Sequence, residues 1–205
     1  MDVVVLGICG GSGSGKSTLA TACTDAFGEF DVAVLPFDAY YRDLAHLSHG
    51  QRMAVNFDHP DSLDIELFAA HLDALRAGQA VGVPVYDFAS HTRTGESITI
   101  EPSPVVVAEG ILLLCVEMIS SRLDYSVFLD VPEPIRFERR LARDTVERGR
   151  DAADVARQFA ESVAPMHDEF VQPCGGSADA VLVHPWDVVT EAGAVASAVS
   201  RVASS

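Results

Sequence analysis

The chain has 205 residues, 48% of them hydrophobic and 21% charged. That suits one packed domain over 1–205 and excludes a disordered chain. Thirty acidic against fourteen basic residues leave a formal charge of −16, a field that repels phosphate backbones and anionic bilayers, so neither nucleic acid nor a membrane surface is an expected partner.

Met1-Asp2-Val3-Val4-Val5-Leu6 lacks the basic region of a secretory signal, and no apolar run approaches the ~20 residues of a membrane span, so a cytoplasmic location is expected. Val3 to Cys9 is a nearly all-apolar run, as in a strand covered on both faces. Glycines and serines follow, then a helix from Lys16 to Phe27 ended by Gly28. Asp31 to Phe37 reads as a second buried strand, delivering Asp38. Residues 39–60 read as an irregular loop, with His46, His49 and His59 as loop residues. Asp61 to Ala77 is an amphipathic helix stopped by Gly78, with Leu63, Leu67, Phe68, Leu72 and Leu75 inward. Val81 to Phe88 and Glu96 to Ile100 alternate as strands about a turn at Thr92-Arg93-Thr94-Gly95. Pro104 to Ala108 is a buried strand ending at Glu109-Gly110. Helices are expected over 111–122, 133–148 and 151–171, the last open to a break at Pro165. Short strands fit 125–130 and 179–184, and a final helix fits 187–203. Alternating strands and helices imply an α/β sheet with helices on both faces and a ligand site beyond the carboxyl ends of the strands. The cysteines, Cys9, Cys23, Cys115 and Cys174, are far apart and form no C-x-x-C pair, so they read as small apolar residues.

Gly10-Gly11-Ser12-Gly13-Ser14-Gly15-Lys16-Ser17-Thr18 fits G-x-x-x-x-G-K-[ST] between a buried strand and a helix, the context that gives a P-loop its meaning. Glycines let backbone N–H groups converge on phosphate oxygens, and the helix N-terminus adds positive potential. Lys16, the only lysine in the chain, supplies a compact ammonium to the outer phosphates, and the Ser17 hydroxyl can ligate Mg²⁺. This pattern points to nucleoside triphosphate binding without separating a kinase from an ATPase or a switch.

A kinase also needs a carboxylate for the acceptor hydroxyl and cations for the moving phosphoryl group. Asp38, at the end of its strand, suits the first task, and a loop or capping aspartate is the plainer alternative. Glu109, at the end of another strand, suits a water-mediated Mg²⁺ ligand. Six of the thirteen arginines (136, 139, 140, 143, 148 and 150) fall within fifteen residues. Arg136, Arg139, Arg140 and Arg143 share one helical arc of about 100°, which suits a lid over phosphates. The plainer alternative is a solvated face paired with Glu138, Asp144 and Glu147.

Several phrases, in order and spacing, resemble the uridine kinase (uridine–cytidine kinase) family of P-loop nucleoside kinases. They are Asp38-Ala39-Tyr40-Tyr41-Arg42, Asn56-Phe57-Asp58-His59-Pro60-Asp61, Pro84-Val85-Tyr86-Asp87-Phe88, His91-Thr92-Arg93, Glu109-Gly110-Ile111-Leu112, Arg139-Arg140-Leu141-Ala142-Arg143-Asp144 and Glu147-Arg148-Gly149-Arg150-Asp151. The resemblance runs from about Val4 to His184 and implies a P-loop kinase-type parallel sheet with a small β-hairpin and an arginine-rich lid helix. It implies ATP (or GTP) and Mg²⁺ as cofactors and a small nucleoside as substrate, with transfer of the γ-phosphate to the 5′-hydroxyl of uridine or cytidine. Asp38 would be the base, aided by Lys16 and Arg143. Asp58 and Arg140 would hold the ribose hydroxyls, Tyr86 and His91 the pyrimidine, and Tyr41, Arg150 and Gln158 further parts of the nucleoside. Arg143 and Arg148 would face the triphosphate, and Ser17 and Glu109 the metal. A homo-oligomer, often a tetramer, and end-product inhibition by CTP are also implied. The chain departs from the family at Ala39-Tyr40, in loop 43–55, and at Cys174-Gly175-Gly176-Ser177, where threonine, lysines and tyrosine are usual. A P-loop kinase for another small alcohol, such as pantothenate or a sugar phosphate, and a nucleotide-binding regulator remain open alternatives.

Overall fold

Every residue of β1 (Val4–Gly10) is buried, and its side chains divide between two cores: Val5 and Cys9 face one, Val4, Leu6 and Ile8 the other. Such a strand belongs inside a parallel sheet. The computed structural model, which describes residues 3–28 and 32–204, places it there. After β1 come α1 (Lys16–Ala26), β2 (Val32–Pro36), α2 (His49–Met53), α3 (Ile65–Arg76) and a hairpin of β3 (Val81–Asp87) and β4 (Thr92–Ile100). Then follow β5 (Val105–Gly110), α4 (Glu117–Ser120), β6 (Tyr125–Asp130), α5 (Glu133–Val146), α6 (Ala152–Gln158), α7 (Ala164–Met166), β7 (Ala180–Val183) and α8 (Val188–Val202). The main sheet is five-stranded, parallel throughout, in the order β2-β5-β1-β6-β7. Leu19, Ala20 and Cys23 of α1 and Val195, Ala196 and Val199 of α8 pack on one face; Phe68, Leu72 and Leu75 of α3 pack with the core of the other. Cys9 and Cys23 are buried, and all four cysteines are free thiols.

Several element boundaries differ from those expected. The second strand ends at Pro36, and Asp38 lies in a 3₁₀ turn, Phe37–Tyr40; Asp31 is outside the described residues. The helix expected from Asp61 starts at Ile65, because the Asp64 side chain accepts from Leu67 N–H and so caps it. The loop 39–60 contains α2, closed at its start by a reciprocal Ser48–Gln51 capping box. The hairpin turns at Phe88–His91, not at Thr92–Gly95, which belong to β4; Gly95, at φ 84°, sits where the pairing register shifts opposite Pro84 to Tyr86.

The helix expected over 111–122 shrinks to Glu117–Ser120. Ile111, Leu112, Leu113 and Leu114 are all buried, so this stretch has no polar face to offer solvent and crosses the core as turns. The helix expected over 151–171 is helical throughout but widens to π-helix at Phe159–Val163 and His167–Val171, on either side of Pro165. Val155, Phe159, Val163, His167 and Val171 are buried at a constant spacing of four. A four-residue step overshoots a 3.6-residue turn, so a regular α-helix would rotate this stripe off the core. The wide turns take up the excess.

Gly110 fixes the position of Asp38. A Cβ at Gly110 would lie 2.6 Å from the Phe37 Cβ, so the bare glycine lets the turn carrying Asp38 close onto β5. Gly110→Ala is expected to lower stability by about 1–3 kcal/mol, the usual cost of overpacking, read from the urea midpoint at unchanged m-value.

Candidate active site

The carboxyl ends of β1, β2 and β5 converge on one cleft of about 700 Å³. The glycine loop forms its floor, with Gly10, Gly13 and Gly15 at φ 147°, 81° and 99°. A Cβ on Gly13 would collide with the Arg136 carbonyl, and one on Gly11 would lie 2.7 Å from Arg136 Nη1 and 2.8 Å from His167 Nδ1. The loop therefore presses against α5 and the π-helical rod, with no room for side chains. Lys16 is buried and its Nζ donates to the Gly11 carbonyl at 3.0 Å. Burial pulls its pKa below the usual lysine value, opposed by Glu109 and Asp38. The Ser14 hydroxyl is buried within the loop with no hydrogen-bond partner among the described residues.

Ser17 donates to Glu109 Oε1 at 3.3 Å, so the hydroxyl and carboxylate expected at a metal site do meet. Burial, then the nearby Asp38, pushes the Glu109 carboxyl above its ordinary value. The pair consists of hard oxygen donors, which suits Mg²⁺, a cation that takes few protein ligands and completes its shell with water and phosphate oxygens. Asp38 lines the cleft.

Ser12, Lys16, Ser17, Asp38, Tyr41, Asp58, Tyr86, His91, Glu109, Arg140, Arg143, Arg148, Arg150 and Gln158 all line this cleft. Gly10, Gly11, Gly13, Ser14 and Gly15 form the loop behind it, and Thr18 is exposed on the first turn of α1. Asp58 is held by Ser162, whose hydroxyl donates to Oδ2 at 3.2 Å, and burial raises its pKa against the pull of Arg140. Beside it is an aromatic box. Tyr41 lies 5.2 Å from Tyr86 and 5.6 Å from Phe57 by ring centroids, and Phe57 stacks on His91 at 4.5 Å and 16°. His91 takes φ 55° at the hairpin turn, and burial followed by Arg150 depresses its pKa below the ordinary histidine value. The Tyr86 hydroxyl is buried with no partner among the described residues.

The arginines do not act as one arc. Arg136 is 2% exposed, donates from Nε to the Val131 carbonyl at 3.1 Å, and lies behind Gly11, off the cleft. Arg139 points to Ser14 and Gly15. Arg140, Arg143, Arg148 and Arg150 instead surround Asp144, whose side chain is 0% exposed, at 3.5, 2.8, 3.4 and 3.4 Å. Asp144 is thus the buried counter-charge of the lid and not part of a solvated face. Arg140 also reaches Ser12 Oγ at 2.9 Å and Gln158 Oε1 at 3.1 Å, and Arg148 lies 4.7 Å over the Phe88 ring.

Asp144, Ser162, Phe57, Phe88, Glu147 and His49 were not assigned to the site from sequence. His49, read as a loop residue, lines the cleft from the first turn of α2. Phe57 and Phe88 stood inside the phrases that carried the family resemblance, so alternating aromatic and acidic residues were an available signal. Nothing local marks Ser162, which meets Asp58 only through the fold.

A glycine-loop strand–helix unit, a parallel sheet and a carboxylate-lined cleft under an arginine lid define a P-loop phosphotransferase. The model of the phosphoribulokinase / uridine kinase family matches residues 5–190, and the chain belongs to that family. A uridine kinase of Shewanella pealeana is 46% identical over 186 residues, covering 88% of each chain. A uridine kinase of Chloroflexus aurantiacus is 44% identical over 178 residues, 87% of this chain and 85% of its own. Among solved structures, phosphoribulokinase from Rhodobacter spheroides has a similar fold, with TM-score 0.65 at 13% identity over 91% of this chain and 72% of its own.

Two substitutions test these charges. Glu109 has a folded pKa above the ordinary carboxyl value, so its contribution to stability is present below about pH 4 and lost as pH rises through the folded pKa. Glu109→Gln should therefore melt about 2–4 °C higher than wild type at pH 7, an advantage that fades toward pH 4. Asp144→Asn leaves the guanidinium groups without a counter-charge and should cost about 2–4 kcal/mol in urea unfolding, below the full buried-pair value because three of the arginines remain about one-third exposed.

Proposed function

We propose that this protein transfers the γ-phosphoryl group of ATP (or GTP) to the 5′-hydroxyl of uridine or cytidine. The reading rests above all on one juxtaposition: Asp38 lines the same cleft as the phosphate-binding set, Lys16, Ser17 and Glu109, and the aromatic set, Tyr41, Tyr86 and His91. The relatives named uridine kinase, at 40–46% identity over 86–88% of this chain, support the same acceptor.

Asp58 and Arg140 offer an acceptor and a fork of donors to the ribose hydroxyls. The box of Tyr41, Phe57, Tyr86, Phe88 and His91 suits a flat base better than a sugar phosphate or pantothenate. With the nucleoside so held, the 5′-oxygen faces the γ-phosphorus and Asp38 takes its proton. A bond forms from that oxygen to phosphorus, the bond to the β-phosphate oxygen breaks, and ADP leaves. Lys16 and Arg143 offset the charge spread over the phosphoryl oxygens. Ser17 and Glu109 would hold Mg²⁺, which neutralises phosphate charge when bound. Closure of the lid excludes water. No helix among the described residues is long and apolar enough to cross a membrane. The acidic surface is in keeping with a cytoplasmic enzyme and a small-molecule substrate, and we place a homo-oligomer with the same reading.

ADP release is measured with uridine, cytidine, purine nucleosides, pantothenate and ribulose phosphate. Turnover is expected with uridine and cytidine, falling ~100-fold or more in Asp38→Asn. Turnover only with pantothenate or a sugar phosphate, or ATP binding without any turnover, contradicts the proposal.

A further inference from the structure

The hairpin of β3 and β4 brings Tyr86 and His91 to the cleft, yet it forms a two-stranded sheet of its own, apart from the main one. Val81, Val83 and Tyr86 pack into the core beside the Asp38 turn. Apolar packing is non-directional, so it does not by itself set the spacing between the hairpin and that turn. Hydrogen bonds are directional. Among the described residues, every hydrogen bond that leaves the hairpin comes from Arg93.

The Arg93 backbone N–H donates to Asp43 Oδ1 at 3.3 Å. Its guanidinium serves three acceptors. Nε donates to the Tyr41 carbonyl at 3.0 Å, and Nη2 donates to Asp64 Oδ2 at 3.1 Å and to the Tyr40 carbonyl at 3.5 Å. Tyr40 closes the 3₁₀ turn that contains Asp38, and Tyr41 follows it. The Tyr40 carbonyl also accepts from the Asp64 N–H at 2.8 Å, while Asp64 Oδ1 caps α3. On the hairpin, Arg93 stands opposite Tyr86, so guanidinium and ring share one face. One planar fork thus joins the wall that would hold the base, the turn that carries Asp38 and the start of α3.

We propose that Arg93 is a positioning residue for phosphoryl transfer, holding the nucleoside hairpin and the Asp38 turn at one spacing. A pyrimidine docked on the hairpin then brings its 5′-oxygen to the Asp38 carboxylate. The inference rests on the reading of Asp38 as the base. Arg93 does not line the cleft, so it acts through the Tyr40 and Tyr41 carbonyls and not on the substrate. A displacement of about 1 Å between reacting groups can cost ~100-fold in rate, so a small slip of the hairpin would be felt in kcat.

The test is a double-mutant cycle on uridine turnover with Arg93→Gln, Asp38→Asn and the pair. Arg93→Gln should lower kcat ~10-fold or more and leave KM for ATP within about twofold. In the Asp38→Asn background the same change should cost less than about threefold, because no base remains to be aimed. Asp64→Asn keeps the oxygen that caps α3 and removes the charge facing Arg93. It should lower kcat about threefold at unchanged KM for ATP, and it decides the matter if Arg93→Gln does not fold. A folded Arg93→Gln enzyme with kcat within about twofold of wild type overturns the proposal, as do equal losses with and without Asp38, or an Asp64→Asn enzyme with wild-type kcat. If Asp38→Asn itself leaves turnover unchanged, the reading of Asp38 as the base falls, and this inference with it.

Discussion

The site depends on a single buried ammonium. Lys16 is the chain's one lysine, sunk beneath a cleft in a protein of charge −16. Desolvation alone would drive it toward neutrality, and Glu109 and Asp38 oppose that. The two carboxylates repel one another in turn, and the nearby Asp38 helps lift the Glu109 carboxyl. These groups are held in place by strands: β1 runs into the glycine loop, β5 contains Glu109, and Gly110 admits the turn that presents Asp38. Phosphate oxygens beside Lys16 and a divalent cation beside Glu109 would offset both sets of charge. The site is therefore complementary in charge to a metal–triphosphate complex.

The lid has the opposite problem. Four guanidinium groups of Arg140, Arg143, Arg148 and Arg150 come within 3.5 Å of one carboxylate. Asp144 lets these cations gather before any phosphate arrives and sets their spacing. Arg148 leans on Phe88 at the hairpin tip, so the lid and the aromatic box touch through that contact.

Much of this was legible in the sequence because it is local. The glycine loop is a contiguous motif in a fixed context, and the buried parallel strands announce themselves as short apolar runs. The glycine loop and the family resemblance together named fourteen of the residues that the fold gathers in one cleft. What escaped depends on tertiary packing. Helical spacing put Arg136 and Arg140 on one face, but the fold sends the first behind Gly11 and the second over the cleft. Asp144 looked like one more surface acid among arginines until its burial was known. The run from Ile111 to Leu114 counts as helix by propensity and as buried turn by environment.

The most direct test is a crystal structure of the protein with uridine and a non-hydrolysable triphosphate bound together. Here the uridine 5′-oxygen is expected within hydrogen-bond reach of an Asp38 oxygen, about 2.6–3.2 Å, and in line with the γ-phosphorus. A 5′-oxygen remote from Asp38, or an Asp38 side chain turned out of the cleft in the filled enzyme, would contradict the account.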